Sequence, residues 1–184
     1  MANTLRTLPR RVFDKLTAQF ASRADDVARF AATRYSFEEW LNWEAYAACA
    51  TVPGWRAYAK PRYCDLGAEG CRDFGDLLVI EGPAKVLVEI GLVHDGTGNK
   101  WRDKLEWDVE KLARPLKGVS SLHVVVLASS SPIRASEAWQ RWMMKVPCWN
   151  RLNPFEASVP LAPEGGIVVR GWVGECGGAR VSDS

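Results

Sequence analysis

One glutamate stands inside an otherwise apolar run, Val86-Leu-Val-Glu-Ile-Gly-Leu-Val93, and it constrains the fold more than any other feature of the chain. A continuous apolar run of this length reads as a strand buried on both faces, and a lone carboxylate there costs several kcal/mol unless it is paired, protonated or ligating. A second apolar run, Leu77–Ile80, precedes it across Glu81-Gly-Pro-Ala84. That turn is short enough for a hairpin, so the two runs are expected as antiparallel neighbours.

The remaining pattern extends this core. Residues 10–32 repeat Val12, Phe13, Leu16, Phe20, Val27 and Phe30 at helical spacing, as one or two helices. Ser36 reads as an N-cap, with Glu38 and Glu39 in the first turn of a helix that ends near Ala50, before Pro53 and Gly54. Strands are expected over Ala57–Cys64, Gly75–Glu81, Lys85–Val93, Leu122–Ala128 and Gly166–Val173, with helices over Lys100–Arg114 and Ala135–Val146. Four prolines make 147–163 irregular, and the glycine-rich tail is expected to fray. This order gives an α/β fold, a central mixed β-sheet flanked by helices, in a single domain over 1–184. Within it lie a basic helical segment (1–34), a core (36–130), a C-terminal helix and strand (131–173) and a flexible tail (174–184).

No apolar stretch approaches a membrane span or a signal-peptide core, so a cytoplasmic protein with no membrane partner is expected. The five cysteines are an odd count at irregular spacing, and two histidines assemble no zinc motif; free thiols are the expectation. Net charge is only +2, but its distribution is uneven. Residues 1–34 carry seven Lys/Arg against three acids, and residues 35–81 carry eight acids against four bases. This suits a phosphate-gripping segment followed by a cation site; ordinary solvated surface is the plainer account.

Three acids stand out. Glu44 lies within about 20° of Phe37 on a helical wheel and so points into the apolar stripe. Asp76 opens a strand that continues entirely apolar, where Asp is depleted. Glu89 is the third, and pairing about the Glu81–Ala84 turn sets Asp76 opposite it. Clustered carboxylates repel unless a cation neutralises them, and oxygen ligands select Mg2+ or Mn2+. Such a cation lowers the pKa of a bound water and polarises a phosphoryl oxygen. Buried salt bridges are the structural alternative for each acid. In the helix after the strands, Asp108 also falls in the apolar stripe, flanked by Lys104 and Lys111 at ion-pairing spacing, and reads as structural. Trp101, Trp107, Trp139 and Trp142 fall on expected helices, where core packing is the first explanation.

These residues resemble the PD-(D/E)XK nuclease superfamily, with its restriction-endonuclease-like core of helix, three-strand meander, helix and strand. Asp76 matches the acid that opens the second strand, Glu89 the acid of the third, and Glu44 the acid often found in the first helix. The resemblance implies a Mg2+- or Mn2+-dependent DNA nuclease with Glu44, Asp76 and Glu89 as catalytic metal ligands. The motif's lysine is replaced by Gly91, and Lys85, Lys100 or Lys104 are the residues placed to supply its charge. Arg6, Arg10, Arg11 and Lys15 are the expected DNA phosphate contacts, with a homodimer or protein partner left open. The alternative reading is an inactive nuclease-fold protein serving as a nucleic-acid-binding or protein-interaction, immunity-like module. The two differ at Gly91: an active site needs an ammonium beside it directed at Glu89, a relic fills that space with apolar side chains.

Overall fold

The computed structural model describes residues 7–69, 72–94, 96, 100–129, 155–161 and 165–174. Three helices come first: α1 (Leu8–Ser22), α2 (Ala24–Thr33) and α3 (Glu38–Ala50). Then come β1 (Trp55–Ala59), a 3-10 turn at Cys64–Leu66, β2 (Leu77–Glu81) and β3 (Ala84–His94). Helix α4 (Lys100–Leu112) leads to β4 (Ser120–Ser129), followed by β5 (Phe155–Leu161) and β6 (Gly165–Gly174). The expected helix over Ala135–Val146 and the tail beyond Gly174 lie outside the described residues.

The fold is α/β: a six-stranded mixed sheet in the order β1-β2-β3-β4-β6-β5, flanked by helices. β1, β2 and β3 form the antiparallel meander, and the hairpin pairs Glu81 with Ala84, as its turn predicts. β3 runs parallel to β4, through α4. β6 and β5 add antiparallel pairing on the far side. Among the described residues no helix is long and apolar enough to cross a membrane.

The period of two along β3 sorts its side chains between two layers. Val86, Val88, Ile90 and Leu92 join Leu16, Phe20 and Leu41 in the core beneath α1–α3. Each such buried side chain contributes about 1.5–3 kcal/mol. Leu87 faces the other layer with Tyr63, Leu66 and Leu116. Glu89 and Gly91 share this second face, which α4 covers.

Three boundaries differ from expectation. β1 ends at Ala59 because Lys60 takes a left-handed conformation (φ 50°) before Pro61, which cannot donate to a ladder. α3 begins at Glu38 with Phe37 in the capping position, because the Phe37 ring is drawn into the core against Phe30, Trp40 and His94. β5, expected as irregular chain, is an edge strand, the position in a sheet where a proline such as Pro160 is tolerated.

Candidate functional site

The meander opens where β2 begins. Its register stops at Leu77 opposite Val88, and one further step sets Asp76 across from Glu89, while β3 runs on to His94. The backbone groups of Ile90 on that side have no strand to pair with. Two side chains take them: Asp76 Oδ2 accepts the Ile90 amide at 2.8 Å, and Lys104 Nζ donates to the Ile90 carbonyl at 3.1 Å.

From these caps a network of charge spreads in two layers. In the outer layer Asp76 Oδ1 accepts from Lys60 Nζ at 2.8 Å and from Asn42 Nδ2 at 3.1 Å. Lys104 also meets Glu38 Oε1 at 3.1 Å, and Lys60 meets Glu39 at 3.6 Å. The inner layer is closed to solvent: Glu89 and Asp108 are each 1% exposed. Glu89 accepts from Tyr63 Oη at 2.7 Å through one oxygen and from Lys111 Nζ at 2.7 Å through the other. Asp108 links the layers, accepting from Lys104 at 2.7 Å and from Lys111 at 3.0 Å, with His123 Nε2 at 3.9 Å.

Burial decides which groups carry charge. It pushes the Glu89 carboxyl up to about 8, with the Asp76 charge adding to the rise against the pull of Lys111. Burial also raises Glu38 above the usual carboxylate range, despite Lys104. For Asp76 burial acts upward too, but the Lys60 and Ile90 hydrogen bonds and the charges of Lys60 and Lys104 outweigh it, so this acid stays ionised. Lys104 and Lys111 are held charged by Asp108, with Glu38 and Glu89 respectively, against the cost of burial. Burial drives His123 down to about 4, so it is neutral. Three lysines (60, 104 and 111) thus face the acids of the site, Glu38, Glu39, Asp76, Glu89 and Asp108.

The site residues anticipated from the sequence separate. Glu44 does not join Asp76 and Glu89: it accepts from Gln19 at 2.7 Å and lies 3.7 Å from Arg23, against α1. The buried stripe of α3 is Leu41, Asn42, Ala45, Ala48 and Cys49, and a wheel centred on Phe37 misplaces it because Phe37 lies outside the helix. The residues that α3 presents to Asp76 are Asn42 and, one turn earlier, Glu38. Lys85 is exposed near the hairpin turn, two pleats or about 13 Å from Glu89. Lys100 begins α4. Lys104 does reach the site, directed at Asp108, Glu38 and Ile90. The ammonium on Glu89 belongs to Lys111.

Gly91 is sealed. A Cβ at that position would overlap Leu105 Cδ2 and lie 3.6 Å from His123 Nε2. A close approach of another segment is what a strand glycine signals, and here the segment is α4.

The set Glu44, Asp76 and Glu89 does not fit a divalent cation, since one member lies on another helix flank and the other two already bind ammonium groups. Among the described residues no three His, Cys, Asp or Glu side chains are grouped to hold a metal. Two of the anticipated phosphate contacts are also engaged: Arg10 pairs with Asp14 at 2.9 Å, and Arg11 forms a two-point pair with Glu81 and lies over the Trp55 ring. Lys15 is half-buried near Cys49, and Arg6 lies outside the described residues. Trp107, expected in the core, is 47% exposed and stacks on the Arg114 guanidinium. Cys49 and Cys64 are free thiols.

Sequence reasoning missed Lys60, Tyr63, Asn42 and the Lys111–Glu89 contact. Lys-x3-Asp-x2-Lys from Lys104 carried a signal for the last, because i, i+4 and i+7 share one helix face. No family model, curated protein or solved structure matches the chain.

Proposed function

We propose that this chain is a restriction-endonuclease-like protein whose acid site is neutralised by its own lysines, acting as a nucleic-acid-binding module rather than as a nuclease. The element order α3-β1-β2-β3-α4-β4 supports the core, as do Asp76 opening β2 and Glu89 within β3. The observation that carries the loss of hydrolysis is Glu89: it is buried, both of its oxygens are bound by Tyr63 and Lys111, and the motif lysine's place at Gly91 is filled by Leu105. A carboxylate so enclosed neither meets a phosphodiester nor exchanges its ammonium for a hydrated cation at modest cost.

A second reading, a Mg2+- or Mn2+-dependent DNA nuclease, is favoured by one observation. Asp76 and Glu38 stand near the solvent-facing layer, and Asn42 Oδ1 beside them is buried without a donor. Incubation with supercoiled plasmid and single-stranded circular DNA in millimolar Mg2+ or Mn2+ separates the two. The first reading expects intact DNA and no Mn2+-dependent rise in melting temperature. Cleavage that disappears in Asp76→Ala would overturn it and establish the second.

A further inference from the structure

The meander has a second face, turned away from α1–α3, that α4 covers only in part. The register aligns two rows on it: Arg56 beside Ile80 beside Lys85, and Tyr58 beside Leu78 beside Leu87. Directly opposed residues in antiparallel strands share a face, so Arg56, Tyr58 and Lys85 project together. All three are exposed, Tyr58 by 45%. Beside them lies an open cavity of about 380 Å³ lined by Tyr58, Arg62, Asp65, Leu66, Leu78 and Ile80. Arg62, which lines it, carries its guanidinium 5.7 Å from the ring of Phe74, itself 48% exposed.

Most cations elsewhere are paired, although Lys15, Arg34, Arg72 and Lys117 meet no carboxylate among the described residues. Arg10, Arg11, Arg23, Lys60, Lys104, Lys111 and Arg114 each pair with a carboxylate. Among the described residues Arg56, Arg62 and Lys85 pair with none, and Asp65 is the single carboxylate lining the cavity. Arg56 and Lys85 stand about 9.5 Å apart across Ile80, and Tyr58 lies about 7 Å along the strand from Arg56. Cations available to phosphates, alternating with rings open to stacking, form the recognition chemistry of unpaired bases on a charged backbone. Duplex bases are already stacked on one another and offer such rings no face.

We propose that this sheet face binds single-stranded nucleic acid, with Tyr58 and Phe74 stacking on bases and Arg56, Arg62 and Lys85 contacting phosphates. The proposal rests on the nucleic-acid-binding reading above and gives it a surface and a ligand form. Fluorescence anisotropy with labelled oligothymidylate, oligouridylate and a mixed-sequence duplex tests it, with melting curves confirming that each variant is folded. Single strands should bind more tightly than duplex, and log K should fall with log salt at a slope of about −2 for three phosphates. Tyr58→Ala should weaken binding about fivefold or more, and Tyr58→Phe should retain it. Arg56→Ala and Lys85→Ala should each weaken it and reduce the slope by about 0.7, while Arg29→Ala on α2 leaves it unchanged. Single strands bound equally well by Arg56→Ala, Tyr58→Ala and Lys85→Ala would overturn the surface and leave the binding module standing, as would a preference for duplex. Displacement by polyglutamate with no effect of Tyr58→Ala would mark an unspecific anion surface and overturn it too. Wild-type protein that binds neither single strand nor duplex would remove the binding-module reading itself.

Discussion

Asp76 Oδ2 accepts the main-chain amide of Ile90 at 2.8 Å, so a side chain completes the sheet edge where β2 begins and β3 continues past it. The same carboxylate holds Lys60 and Asn42. Its removal therefore strands three donors at once. Asp76→Ala should destabilise the fold by about 2–4 kcal/mol, discounted for the half-exposed Lys60. Asp76→Asn keeps one acceptor and should cost clearly less. Urea denaturation monitored by tryptophan fluorescence measures both; equal costs would mean that the Ile90 cap contributes little.

Stability should also depend on pH through Glu89. Its carboxyl is raised in the folded state to about 8 from an ordinary value of 4.5. The folded protein therefore holds a proton that the unfolded chain gives up. The resulting stabilisation is fully present below about pH 4.5 and is lost as pH rises toward 8, by up to about 1.4 kcal/mol per unit. Glu89→Gln keeps an acceptor for Tyr63 and removes the titration, so its stability should be flatter between pH 5 and 8. Parallel curves for the two proteins would show that Glu89 is ionised throughout, with Lys111 overcoming burial.

The sheet was legible because its signals are local and redundant. Leu77–Ile80, the Glu81–Ala84 turn and Val86–Val93 each state the hairpin, and Val124–Val126 states a doubly buried strand. Asp108 was legible for a related reason: a helix wheel fixed by Leu105 and Leu112 places it inward whatever α4 packs against. The site was less legible because its contacts join distant segments. Tyr63 reaches Glu89 only because Lys60 and Pro61 break β1 and turn the chain back, which no periodicity records. The Lys104–Asp108–Lys111 spacing shows Lys111 only as a partner of Asp108, since its second contact depends on how α4 crosses β3. Glu44 falls on the apolar stripe only if Phe37, a capping residue, is taken as part of α3.

Gly91 and Leu105 should be coupled. Gly91→Ala places a methyl where Leu105 Cδ2 sits, and overpacking of this kind costs about 1–3 kcal/mol. Gly91→Lys, which restores the nuclease motif, should cost at least as much and confer no cleavage. In a Leu105→Ala background the Gly91→Ala penalty should largely vanish, because the space it needs has been vacated. A double-mutant cycle in urea reads this coupling. Additive costs would place the Gly91 penalty in the backbone rather than in α4.

Lys111 gives the sharpest view of how the buried acids are tolerated. Lys111→Ala leaves the buried Asp108 with Lys104 alone and takes one donor from Glu89, and removing one partner of a buried ion pair costs about 3–5 kcal/mol. Lys111→Met preserves the packing of the aliphatic stem, so the difference between the two variants isolates the charge from the cavity. Combining Lys111→Met with Glu89→Gln removes both members of one pair and should cost less than the sum of the single changes, leaving Lys104 to hold Asp108. Chemical denaturation of the four proteins at pH 7 gives the coupling energy. A coupling near zero would mean that Lys111 serves Asp108 only, and that its 2.7 Å contact with the protonated Glu89 adds nothing to stability.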